Sequence, residues 1–158
     1  MRHAKSSWKN KDLEDYQRPL NKRGKRDASF MGKVLKKRGV FFDIIISSSA
    51  KRAYQSAKRV AKEIGYDKKI LKDKKLYLIS FEEFLDYIKN LDDKYKSVLI
   101  IGHNPDISKL FSYLTGKESK MPTAAVGALK FKGDRWRDIE EREIEALFFD
   151  YPKKFLTK

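Results

Sequence analysis

Two short apolar runs constrain the fold of this chain more than any other feature. Val40–Ile46 and Ser97–Ile101 are rich in β-branched residues and almost free of polar ones. Such runs are typical of strands that are buried on both faces, as in parallel sheets. Residues with helical periodicity stand between and around them, so we predict an α/β fold, a three-layer sandwich with a mostly parallel central sheet flanked by helices.

The remaining elements are predicted from periodicity and from stop and cap signals. Further strands are expected near residues 75–78 and 123–132 and at 146–149, the last at a sheet edge. Trp8 and Tyr16 are expected to anchor the irregular stretch 4–21. The first predicted helix spans residues 22–38 and ends at Gly39. The second spans 50–64 and follows the N-cap candidates Ser47–Ser49. The third spans 81–91, with a capping box at Ser80 and Glu83, and the fourth spans about 104–115, with Asn104 as N-cap.

Composition narrows the functional classes. A chain of 158 residues fits a single domain, 1–158, and it has no cysteine, which excludes disulfides and thiolate chemistry. With two histidines and no metal-ligand spacing, we expect no metal and no cofactor. No apolar run is long enough to span a bilayer, so we expect a cytoplasmic protein without a membrane partner.

The formal net charge of +15 could attract nucleic acid, acidic proteins or phosphorylated ligands. The alternative is a lysine-rich solvated surface. We favour the latter because the basic clusters lie at separate places in the chain without a repeated recognition motif, so a nucleic-acid partner is not expected.

The two histidines, His3 and His103, each border a strand end. Ligands of open α/β sheets bind beyond the carboxyl ends of strands, and the segment Ser47–Arg52 reaches the same edge. If Arg2 emerges there as well, two arginines and two histidines share one pocket. Arginine binds phosphate in bidentate fashion, and a neutral histidine can attack phosphorus. Each residue taken alone is better explained as structural or exposed, so the hypothesis depends on their joint order.

That joint order resembles the histidine phosphatase superfamily, which includes cofactor-dependent phosphoglycerate mutases, and within it the SixA-type phosphohistidine phosphatases. The matching stretches are Arg2–Trp8, Arg18–Gly24, Ser47–Ala57, Gly102–Pro105 and Met121–Val126. The resemblance implies His3 as nucleophile, with Arg2, Arg52 and His103 lining the phosphate pocket and Asn104 at its edge as a further substrate-binding residue. It implies a structural role for Arg18 and Asn21.

Relatives carry a strand of about five apolar residues before Arg-His, whereas Met1 directly precedes Arg2 here. We therefore expect the first central strand to be missing and the domain to be N-terminally truncated relative to the family. Its loss would leave two neighbouring strands without partners. A second departure is Ser49, which stands where the family carries proline.

Many relatives also use a carboxylic acid to protonate the leaving group. Glu82 is a weak candidate, and Glu83 is better explained by its capping box. Imidazole leaves more readily than an alkoxide, so the lack of a clear acid favours a phosphohistidine substrate. We therefore expect a metal-independent phosphatase that acts through phospho-His3 and removes phosphate from phosphohistidine in a protein. Two alternatives stay open: a small-molecule phosphomonoesterase of the same superfamily, and an inactive basic nucleic-acid-binding or scaffold protein.

Overall fold

The computed structural model describes residues 1–156, and its centre is a three-stranded parallel sheet. Strand β1 (Ile44–Ser48) lies between β2 (Leu71–Asp73) and β3 (Val98–Ile101). Ile44 faces Val98 across the β1–β3 pair. All five residues of β1 are buried, as expected of a strand that is covered on both faces.

Helices cover both faces of this sheet. They are α1 (Lys22–Lys37), α2 (Lys51–Ile64), α3 (Phe81–Lys89), α4 (Asp106–Thr115) and α5 (Pro152–Leu156). Ile45 packs into the apolar cluster beneath α1 and α2, and Ile44 and Ile46 pack into the cluster beneath α3 and α4. This alternation gives the predicted three layers and confirms the fold class.

A second, antiparallel pair consists of β4 (Val126–Phe131) and β5 (Ile144–Asp150). Residues 1–3 connect the two sheets at one end. Arg2 forms a parallel bridge with Gly102, and its backbone N–H donates to the Ala125 carbonyl at 3.0 Å. The peptide nitrogen of Gly102 in turn donates to the carbonyl oxygen of Met1, also at 3.0 Å.

An apolar cavity of about 610 Å³ continues from this bridge between β3 and β4. Met1 lines one end of it, together with residues from both strands and aromatic side chains such as Phe84 and Phe148. The cavity thus lies between the parallel sheet and the antiparallel pair. Only the segment around Arg2 occupies that position within the described residues.

Several predicted boundaries are wrong. The first strand begins at Ile44, not Val40, because Asp43 turns away to accept hydrogen bonds from the backbone N–H groups of Lys96 and Ser97. Ser47 and Ser48 belong to the strand instead of capping the next helix. The strand expected at 75–78 lies at Leu71–Asp73 and is followed by a 3-10 turn.

One further local prediction is wrong, and another is confirmed. Trp8 is 69% exposed and does not anchor the early loop, although the Arg18 guanidinium stacks on its ring at 3.5 Å. By contrast, the capping box of Ser80 and Glu83 is present at the start of α3. Among residues 1–156, no helix has the length and apolar character required to cross a membrane.

Candidate active site

Four side chains that the sequence singled out meet at the carboxyl end of the parallel sheet. His3 follows the bridging segment, His103 comes two residues after β3, and Arg52 lies in the first turn of α2. The imidazole rings of His3 and His103 are 5.0 Å apart between centroids. The hydrogen bonds of residues 1–3 to Gly102 and to residues 124–125 hold Arg2 and His3 at this edge.

The hydrogen bonds of His3 fix which ring nitrogen is unprotonated. Its Nδ1 lies 2.7 Å from the Ala4 carbonyl oxygen, and a carbonyl can only accept, so Nδ1 carries the proton. Nε2 is therefore the unprotonated nitrogen, and its lone pair accepts a hydrogen bond from Nε of Arg52 at 3.4 Å. Burial, opposed by the Ala4 hydrogen bond and reinforced by the nearby cationic groups, lowers the pKa of His3 to about 3. The ring is a neutral base at physiological pH.

His103 is held in a similar state. Its Nε2 lies 2.8 Å from the hydroxyl oxygen of Ser48, the last residue of β1, and the N–H of Ala50 donates to that oxygen. Burial and the positive charge of Arg52 lower the pKa of His103 to about 4. Both histidines are thus neutral before an anion enters the pocket.

Arg2 provides a donor that the protein itself does not satisfy. Its Nη1 donates to the Met121 carbonyl at 3.1 Å. Its Nε is buried without an acceptor among the described residues. Buried donors without partners are rare, and an anion oxygen is a suitable acceptor for this one.

Arg52 is oriented by the 3-10 turn of residues 15–17. Its Nη1 donates to the backbone carbonyl of Asp15 at 2.7 Å, and its Nη2 donates to the Asp15 carboxylate at 2.9 Å. These two bonds hold the guanidinium with Nε towards His3. The Arg52 side chain is 7% exposed, so its charge acts inside the protein and is only weakly screened.

Asp15 and Tyr77 are the members of this site that sequence reasoning missed. The Tyr77 hydroxyl donates to the Asp15 carboxylate at 2.7 Å, and its ring meets the His103 ring edge-on at 5.6 Å. Burial alone would raise the pKa of Asp15, but hydrogen bonds from Tyr77, Arg52 and Arg18 and the charge of Arg52 hold it at about 2. Asp15 stands three residues before the matching stretch Arg18–Gly24, where a lone acidic residue forms no motif.

The expected structural role of Arg18 and Asn21 is confirmed. Arg18 donates to the Ser6 hydroxyl at 2.8 Å and to the Ser7 carbonyl at 3.2 Å. The backbone N–H of Asn21 donates to the Lys5 carbonyl, and its side chain caps α1 by accepting from Gly24. These contacts tie the loop after His3 to the start of α1.

Asn104 is held differently from the expectation. Its amide group donates to the Met121 carbonyl at 2.9 Å and accepts from the Ser108 hydroxyl at 2.6 Å. It is not the cap of α4, which begins at Asp106 with Pro105 in the cap position. Asn104 thus connects the loop that carries His103 to Met121, whose carbonyl oxygen also accepts from Arg2. Its contact with substrate stays a prediction.

No glutamate reaches the pocket by a described hydrogen bond. Glu82 is exposed on the first turn of α3, and Glu83 is bonded to Ser80. Asp15 is a carboxylate at the pocket, but its lowered pKa leaves it ionised, so it holds no proton to donate at neutral pH. Within residues 1–156, no group of three or more His, Asp or Glu side chains is arranged to hold a metal ion.

Known proteins resemble this chain in sequence. The family profile of the histidine phosphatase superfamily (branch 1) matches residues 1–84, about half of the chain. An uncharacterised protein of Mycobacterium leprae is 28% identical over 166 residues, covering 97% of this chain and 100% of the relative. An uncharacterised chloroplastic protein of Arabidopsis thaliana is 27% identical, covering 87% of this chain and 67% of its own length.

Solved structures share the fold. SixA from Agrobacterium tumefaciens superposes with a TM-score of 0.82 at 23% identity, covering 96% of this chain and 95% of its own. The protein histidine phosphatase SixA complexed with tungstate gives a TM-score of 0.83 at 19% identity, and the match covers 98% of this chain and 96% of that chain. A mycobacterial glucosyl-3-phosphoglycerate phosphatase gives a TM-score of 0.67 at 15% identity, and the match covers 96% of this chain and 97% of that chain.

Proposed function

Because this chain belongs to the histidine phosphatase superfamily, we propose that it removes phosphate from phosphohistidine in a protein, through a covalent phosphoryl intermediate on His3. The observation that carries the proposal is the state of His3. Its Nε2 is unprotonated, its ring is neutral, and Nε2 accepts from Nε of Arg52 at the edge of the sheet.

In the first half-reaction, Nε2 of His3 attacks phosphorus and the leaving group departs from the opposite side. Arg52 and Arg2 bind the phosphoryl oxygens, and the Nε of Arg2 gains the acceptor that it lacks in the protein. His103 lies beside His3 and, once protonated, stabilises the oxygens that carry charge in the transition state. In the second half-reaction, water attacks phospho-His3 and releases phosphate.

The substrate class is supported by the ionised state of Asp15. An alkoxide leaving group needs a proton from an acid, and a carboxyl group with a pKa of about 2 supplies none at neutral pH. Imidazole leaves without such an acid. The pocket therefore suits a phosphoramidate better than a sugar phosphate or phosphoserine. The convergence of four predicted side chains likewise favours an enzyme over an inactive basic scaffold.

The test measures phosphate release by the purified chain from a phosphohistidine-containing protein in the presence of a metal chelator. We expect turnover, and we expect His3→Ala to abolish it. Lys5→Ala, an exposed change two residues away, is the matched control and should leave turnover unchanged. Turnover that survives in His3→Ala contradicts the proposed nucleophile. Rapid hydrolysis of a panel of small phosphomonoesters without any of phosphohistidine contradicts the proposed substrate.

A further inference from the structure

Five side chains form a closed ring around the candidate phosphate site. Arg52 contacts His3, the rings of His3 and His103 adjoin, His103 meets Tyr77, Tyr77 donates to Asp15, and Asp15 accepts from Arg52. Asp15 closes the ring between Arg52 and Tyr77. It is the acidic member of a site that is otherwise built for an anion, and the mechanism above gives its carboxylate no chemical step.

Asp15 lies on the open side of this ring. Its side chain is 47% exposed, whereas that of Arg52 is 7% exposed and His3 as a whole residue is 7% exposed. Its carboxylate is nonetheless fixed, because Oδ1 accepts from Arg18 at 3.1 and 3.2 Å while Oδ2 accepts from Arg52 and Tyr77. A negative charge of defined position therefore stands at the entrance.

The stereochemistry of phosphoryl transfer puts the leaving group near that charge. The attacking and leaving atoms are roughly in line through phosphorus. Because His3 lies in the buried part of the pocket, the leaving group points towards solvent, where Asp15 is exposed. A carboxylate there attracts a positively charged leaving group and repels an anionic one.

We propose that Asp15 is a specificity-determining residue, whose fixed carboxylate selects phosphoryl donors that carry a positive charge on the departing ring over phosphomonoesters. The protonated phospho-imidazole ring of phosphohistidine is such a donor. This inference rests on the proposed function and adds to it the residue that recognises the substrate.

The step balances without a proton from the enzyme. The lone pair on Nε2 of His3 forms the new P–N bond. The P–N bond of the substrate breaks, and its electron pair stays on the ring nitrogen of the substrate. The other ring nitrogen keeps its proton, so neutral imidazole departs. Asp15 favours the protonated ring of the substrate in the complex. The titratable or charged groups that face Asp15, from its own loop and from neighbouring elements, are Arg18, Arg52, Tyr77 and His103.

The experiment compares kcat/KM for a phosphohistidine peptide and for p-nitrophenyl phosphate in Asp15→Asn. Both values should fall, because Arg52 loses a charged partner. The phosphohistidine value should fall further, so that the ratio of the two decreases about tenfold, the scale of one charge–charge interaction. Asp12→Asn, an exposed change in the same loop, is the matched control and should leave the ratio unchanged. Equal losses on both substrates overturn the inference.

A pH profile distinguishes recognition of the substrate ring by Asp15 from a role in which Asp15 only positions Arg52. If Asp15 stabilises the protonated ring of the substrate, the alkaline limb of kcat for phosphohistidine moves to lower pH in Asp15→Asn. An unmoved limb overturns the inference. If Asp15→Asn is unfolded by thermal denaturation, Tyr77→Phe replaces it. That variant removes one hydrogen bond and keeps the charge, so the ratio should fall by a smaller factor, and an unchanged ratio counts against the proposal.

Assays of the wild-type protein distinguish a failure of the proposed function from a failure of the proposed role of Asp15. If it hydrolyses p-nitrophenyl phosphate but no phosphohistidine, the proposed function and this inference both fail. If it hydrolyses phosphohistidine and the ratio is the same in Asp15→Asn, the proposed function stands and the role of Asp15 is refuted.

Discussion

At the residue scale, the chemistry depends on two histidines that are kept neutral. Burial is the main cause of the low pKa of both, and the surrounding arginines strengthen the effect. A base that is free at neutral pH can act as a nucleophile without prior deprotonation. The Ala4 carbonyl adds the choice of tautomer, because it holds the proton of His3 on Nδ1.

Nuclear magnetic resonance can test this directly, since the chain contains only two histidines. We expect neither imidazole to titrate between about pH 8 and pH 5.5, because burial disfavours the charged form of each ring. Long-range nitrogen–proton correlation should show His3 protonated at Nδ1. A titration with a midpoint near the ordinary value of 6.5 would show that the rings are solvated.

Four of the site residues could be predicted from the sequence, and two could not. Arg2, His3, Arg52 and His103 could be found because each borders a strand end or a matching motif. Asp15 and Tyr77 could not, because a lone acidic residue and a lone tyrosine carry no pattern. Their partners lie 37 and 62 positions away in the chain, and only folding brings them together.

At the element scale, the start of α1 holds the His3 segment in place. A Cβ atom added at Gly24 would lie 2.0 Å from the Lys5 carbonyl oxygen. That carbonyl also accepts the N–H of Asn21, so the helix and the loop after His3 are in backbone contact. Glycine is required here by the close approach of the two segments.

Gly24→Ala should therefore destabilise the protein by about 1–3 kcal/mol, since the helix must move away from Lys5. It should also lower kcat, because Lys5 lies two residues from His3. Lys33→Ala on the exposed face of the same helix is the control and should be close to neutral. Chemical denaturation of the two variants checks this, and equal stability would contradict the close contact.

Strand existence was predictable from the sequence, but strand boundaries were not. The runs at Val40–Ile46 and Ser97–Ile101 were recognised by their β-branched residues. The true start of β1 depends on Asp43, whose side chain binds the backbone of Lys96 and Ser97. Such a contact between distant segments leaves no signal in local composition.

At the scale of the whole molecule, the sheet is divided by an apolar cavity of about 610 Å³ between β3 and β4. Only the segment around Arg2 connects the two parts among the described residues, through its bridge to Gly102. Apolar side chains from both strands line this gap, so it could take up further apolar residues.

An engineered extension of about four apolar residues before Met1 tests this description. Because Arg2 faces Gly102 in parallel register, the added residues would run beside β3 as far back as Ser97. We expect a gain in unfolding free energy of about 2–5 kcal/mol from apolar burial, after the cost of ordering the added residues. A Gly-Ser extension of the same length is the control. Equal stability of the two extended proteins would show that the cavity does not accept a strand.

The central claim is that His3 carries the phosphoryl group during turnover, and trapping the intermediate tests it most directly. The purified protein is mixed with a phosphohistidine-containing protein, quenched rapidly under alkaline conditions, which preserve phosphohistidine, and digested for mass spectrometry. We predict one phosphoryl group on the peptide that contains His3 in the wild type and none on that peptide in His3→Asn. A phosphoryl group on His103 instead, or turnover in His3→Asn at the wild-type rate, would contradict the account.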